Sequence, residues 1–166
     1  MFTNEQFLQS IGHEVQVLKH LLTKVPKDKL DYRPTPGQRS LQELLTHLPT
    51  NLAISKHVIS GDWATAQETM KSVREAAQKD LNGTLDRELA AFVERVKAIP
   101  ERDFQGKEVA LPTGAKVRLG DALLNFPFKF LIGYKMQLFL YLKSCGKTEL
   151  NTINCWFGMD GTMPGK

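Results

Sequence analysis

Apolar residues recur at steps of three and four from Phe7 through Ile11, Val15, Leu18, Leu22 and Val25. That spacing lays them along one stripe of an α-helix. Thr3-Asn4-Glu5-Gln6 ahead of the stripe reads as a capping box, and Pro26 closes it, predicting a helix over about Thr3 to Val25. Lys27 to Arg39, with Pro34, Pro36 and Gly37, is a connection. Ser40-Leu41-Gln42-Glu43 is a second capping box. The helix it opens carries a main stripe of Leu41, Leu44, Leu45, Leu48, Leu52 and Ile59, and a second one of His47, Asn51, Ile54 and Val58. Pro49 lies inside that helix and should clash with the Leu45 carbonyl and bend the axis.

Gly61-Asp62-Trp63 breaks the pattern. Ala66 to Leu81 reads as a polar, alanine-rich helix stopped at Asn82-Gly83, and a further helix follows Thr84 and closes at Pro100. Helical spacing lapses between Phe104 and Leu119, where Val109, Leu111, the turn Pro112-Thr113-Gly114, Val117 and Leu119 predict a short hairpin or extended loop. The last long helix runs from about Asp121 to Cys145 and is apolar or aromatic around much of its surface, which places it at the centre of a bundle. Residues 147–166 lack helical period and are expected to be an irregular tail held down by Trp156-Phe157. The whole reads as one all-α domain over 1–166: four or five helices packed as a bundle, an additional shorter one among them, and the excursion before the last long one.

Composition changes this picture little. With 166 residues, 42% of them hydrophobic, the chain can bury a core without disulfides or a structural metal. The 22 basic and 18 acidic residues leave a net charge of +4. Opposite charges alternate, as in Glu94-Arg95-Val96-Lys97, which argues for solvated helix faces and against nucleic-acid binding. The apolar window Leu123–Leu142 carries Lys129, Lys135, Asn125, Pro127 and Gln137, which argues against a membrane span. Met1 to Gln6 holds no basic segment ahead of an apolar stretch, and two cysteines cannot make a disulfide scaffold, so a reducing, cytoplasmic setting is expected.

Candidate chemistry is sparse. His13 and His20 lie opposite the apolar stripe of the first helix, and His57 opposite the leucine stripe of the second, so all three should face solvent. His47 shares its stripe with Asn51, Ile54 and Val58 and can face the interior. Cys145 falls at a helix C-terminus, the wrong end to stabilise a thiolate, and Cys155 sits beside Trp156 without a ligand set; both read as structural or incidental.

Two stretches carry a resemblance. The segment Leu30 to Leu48 holds Arg33-Pro34-Thr35-Pro36-Gly37 ahead of the capped helix and Thr46-His47-Leu48 within it. The other runs Gln137-Leu138, then Tyr141-Leu142-Lys143, then Gly146. Together they resemble the DinB-like superfamily, which implies a four-helix bundle connected up-down-down-up and commonly a homodimer. The family's site is three histidines holding zinc or nickel. One matches His47; the other two, at i and i+4 on the last helix, fall on Phe130 and Tyr134, and the glycine before the glutamine is Met136. Phenylalanine cannot ligate, and neutral tyrosine is a poor ligand beside imidazole.

The resemblance therefore implies the fold with a degenerate metal site, His47 being the one retained ligand position. The expectation is a metal-free protein that binds a small molecule, with His47, Asn51, Phe130, Tyr134 and Gln137 around the pocket, or that acts as a dimeric module. The alternative is an enzyme of the family, a thiol-dependent transferase or metal-dependent hydrolase-like protein, using a pocket around His47 with zinc or nickel there.

Overall fold

The computed structural model describes residues 3–161. Helix α1 (Asn4–Leu22) begins at a complete capping box, Thr3 Oγ1 accepting from the Gln6 amide while the Gln6 side chain accepts from the Thr3 amide. The Thr23 amide still bonds back onto the last turn, so the helix ends three residues before the expected Val25. Phe7, Ile11, Val15, Leu18 and Leu21 on its inner stripe are buried.

The expected second helix is three short pieces: α2 (Leu41–His47), α3 (Thr50–Ala53) and α4 (Ser55–Ser60). Its capping box forms as read, Ser40 with Glu43. The first break falls at Pro49, which has no amide to donate to Leu45. At the second, the Ser55 hydroxyl donates to the Leu52 carbonyl (2.6 Å) and Arg95 donates to Ser55 Oγ (3.2 Å). The first satisfies a carbonyl that a continuous helix would have paired, and the second fixes the hydroxyl that does so.

Helices α5 (Ala66–Lys79) and α6 (Leu81–Lys97) are separated by Asp80 alone. Asn82-Gly83 does not stop the first of them, as the sequence reading has it; the pair lies in the opening turn of α6. Asp80 is extended and accepts from the Gly83 amide (2.9 Å), and a Cβ on Gly83 would collide with that carboxylate. Helix α7 (Glu101–Gly106) precedes the hairpin of β1 (Glu108–Ala110) and β2 (Lys116–Arg118), paired antiparallel with Val109 opposite Val117.

The last long helix is continuous but not uniform. It comprises α8 (Leu119–Leu123), a π-helical turn (Leu124–Phe128) and α9 (Lys129–Ser144). Pro127 explains the π turn: its missing amide and its ring deny the Leu123 carbonyl an α-type partner, and the turn widens around it. Helix α9 packs on α1, α2 and α3, and α5 closes over α2 and α3. At the centre Phe7 meets Phe92, Phe104 and Phe128 at centroid distances of 5.8–5.9 Å.

The tail is not irregular throughout. Helix α10 (Thr152–Phe157) opens on a capping box of Asn151 with Asn154 and packs on α1. It is too short to show a hydrophobic period, which hid it; residues 162–166 of the expected tail lie outside the described residues. The molecule is thus mainly helical with one small hairpin. No helix among the described residues is long and apolar enough to cross a membrane.

Candidate functional site

A cleft of about 370 Å³ opens where α2, α3, α5, α9 and the π turn meet, within the ~300–1,000 Å³ common for small-molecule sites. His47, Asn51, Tyr134 and Phe130 of the sequence-derived set all line it. Gln137 does not. It faces one turn further along α9, where its amide donates to the Tyr141 hydroxyl (2.9 Å), and that hydroxyl donates to the Arg39 carbonyl (3.0 Å). It therefore braces the loop that carries Arg39 instead of facing the cavity.

His47 stands at the end of α2, 9% exposed, with Tyr134 edge-on at a centroid distance of 4.7 Å. The Thr50 hydroxyl has one proton, and its short bond to the His47 carbonyl (2.6 Å) uses it. It must then accept from His47 Nδ1–H (3.2 Å), which makes Nε2 the unprotonated nitrogen. Among the described residues Nε2 has no protein partner, and no fully buried side-chain nitrogen or oxygen goes unpaired. Nε2 therefore reaches the open space of the cleft. Burial pushes the imidazole down to about 4, with the positive charges of Arg39 and Arg74 adding to it. His47 is neutral at pH 7.

The remaining wall comes from residues that sequence reasoning missed. Trp63, read only as part of a helix break, donates from Nε1 to the Ala110 carbonyl (2.8 Å) and stacks on His57. It faces Phe126, which in turn faces Phe130 at 5.6 Å. Arg39 and Arg74 also line the cleft, with the Arg39 guanidinium 5.4 Å from the Tyr134 ring centre. Both also line an adjoining, wider depression of about 680 Å³ with His47 and Lys71. A lone tryptophan in a loop was the available signal for Trp63. Arg39 and Arg74 lie too far apart in sequence for spacing to reveal them.

The other histidines correct the solvent-facing expectation in two of three cases. His13 is exposed. His57 is buried: the kinks in the second helix turn it toward α5, where Nδ1–H donates to the Asp62 carbonyl (2.8 Å) and Nε2 accepts from the Thr69 hydroxyl (2.9 Å). His20 is partly covered by the unforeseen α10, with Asn154 at 3.2 Å. Cys155 is buried and Cys145 half-buried, and burial raises both thiols above their ordinary range.

No group of three His, Cys, Asp or Glu side chains among the described residues is placed to share a metal ion. Around His47 the partners are a phenol, a phenyl ring, a hydroxyl and two cations, a donor set that does not fit zinc or nickel.

No family model matches the sequence. The chain is 29% identical over 155 residues to the uncharacterized protein YjoA of Bacillus subtilis (strain 168), covering 90% of this chain and 96% of that protein. The similarity thus runs across most of both chains and is not confined to one motif. It brings no activity with it.

Proposed function

We propose that this chain is a divergent DinB-like bundle whose metal site has become a metal-free small-molecule cleft. One observation carries the reading. The three positions that the resemblance assigns to metal ligands, His47, Phe130 and Tyr134, line a single cleft, and there they present one imidazole among aromatic surface. Their chemistry favours holding an organic molecule against rings, with Asn51, Thr50 and His47 supplying a few fixed polar groups. Elemental analysis of untagged protein tests this: only trace, substoichiometric metal is expected, and a stoichiometric zinc or nickel that leaves with His47→Ala overturns it.

The enzyme reading has one observation in its favour, the unprotonated, reachable Nε2 of His47, which is placed as a general base would be. Turnover of a thiol substrate that vanishes in His47→Gln, with the fold retained, would move the chain to that class. A homodimer would use the apolar surface around α10, where Trp156, Phe157 and Met159 are all exposed. Sedimentation analysis of wild type against a Phe157→Lys/Met159→Lys variant reports on that pairing.

A further inference from the structure

The cleft has a charge character that its position in the fold does not require. Among the described residues two arginines line it, and no carboxylate does. Neither guanidinium is spoken for: among the described residues Arg39 and Arg74 make no side-chain hydrogen bond and no ion pair, Arg39 having only the face of Tyr134. The acidic residues nearby are committed elsewhere. Glu43, in the adjoining depression, is held by Arg33 (2.7 Å) and by the Ser40 amide (2.8 Å), and Glu75 lies beside Lys71. Arg39, which is exposed, and the half-buried Arg74 both line a cavity whose wall also carries Trp63, Phe126 and Phe130.

Guanidinium forks match planar oxyanions, and rings of this kind match a flat apolar body. Between them, Nε2 of His47 accepts a hydrogen bond and cannot give one. We propose that the cleft binds an aromatic carboxylate, the acid group held by Arg39 and Arg74, the ring against Trp63, Phe126 and Phe130, and a ligand hydroxyl donating to His47. This rests on the cleft being a small-molecule site and adds the class of molecule.

Isothermal titration calorimetry with 6-hydroxy-2-naphthoate, its neutral carboxamide and unsubstituted 2-naphthoate separates the parts. The acid should bind at least ~10-fold tighter than the carboxamide, as charge-assisted bonds to guanidinium require. Arg39→Gln/Arg74→Gln should erase that preference without lowering the melting temperature, since neither arginine holds the fold together. Trp63→Ala should weaken acid and carboxamide alike, and loss of the hydroxyl should matter in wild type but not in His47→Phe. Equal affinity for acid and carboxamide, with both still weakened by Trp63→Ala, overturns the anion specificity and leaves the small-molecule cleft standing. An acid preference that survives in the double arginine variant overturns the placement. No binding by either compound overturns both.

Discussion

Tyr134 and Lys135 are neighbours on α9, about 100° apart around the helix, and they open onto two differently built sides of the molecule. On one side a neutral imidazole, a phenol and two arginines without an ion pair among the described residues line a cavity. On the other, Lys135 is 0% exposed, 2.6 Å from the Glu14 carboxylate, and its ammonium lies 4.5 Å from the centre of the Trp156 ring. The Lys135 side has its charges matched and roofed by α10. The Tyr134 side has polar capacity left over. The two faces of one helix thus differ in how far their polar groups are paired, and the proposed ligand site lies on the less paired one.

The comparison breaks most visibly on the saturated side. Glu14→Leu should cost about 3–5 kcal/mol, because it strands a buried ammonium. Glu14→Leu/Lys135→Met should recover most of that loss, and a loss in the double variant as large as in the single would show that the pair is not the source. Urea unfolding of the three proteins decides it.

The next effect belongs to His47. Its folded pKa, about 4, lies below the ordinary histidine value of 6.5. The unfolded chain therefore binds more protons between these values, and stability must fall as pH drops from about 6.5 to 4 and level off below. A depression of that size corresponds to about 3 kcal/mol, at ~1.36 kcal/mol per pKa unit. The difference in unfolding free energy between wild type and His47→Gln, followed across that window, should show the slope; a flat difference would mean that the imidazole is better solvated than its position implies.

Smaller still is the response to the arginines. Arg39→Gln/Arg74→Gln should change stability at pH 7 by no more than about 0.5 kcal/mol, yet raise the His47 pKa, since both cations help depress it. Imidazole nitrogen shifts followed by NMR report this directly. Tyr134→Phe should be the quietest, within about 0.5 kcal/mol, because the phenol makes no hydrogen bond within the described residues. A larger loss would place its hydroxyl in the saturated half of the comparison.

Much of the architecture was legible because it is written in spacing and caps. Thr3-Gln6 and Ser40-Glu43 form the capping boxes read from the sequence, the α1 stripe is buried from Phe7 to Leu18 with Leu21 in place of Leu22, and of the two readings for the Val109 to Val117 stretch the structure has the hairpin. What escaped depended on single residues acting in three dimensions. Asp80 begins α6 where Asn82-Gly83 looked like a stop, and the second break, at Ser55, turns His57 inward. The site was half legible for the same reason. His47, Asn51, Phe130 and Tyr134 sit at helical intervals on two helices, whereas Trp63, Arg39 and Arg74 arrive from loops and a third helix, and Gln137 has the right spacing but spends its amide on Tyr141.

The π turn at Leu124–Phe128 is, in effect, a phase offset of one residue between the two ends of the last long helix. Phe126 lies within that turn and Phe130 lies just beyond it, and both face the same cleft. Removing Pro127 would let an α-helix run straight through and rotate everything upstream by ~100° relative to α9. The chain would still be helical and its composition almost unchanged, but the two rings would no longer share a wall. A lineage carrying this bundle could therefore gain or lose the cavity by a single codon, with every cleft residue intact.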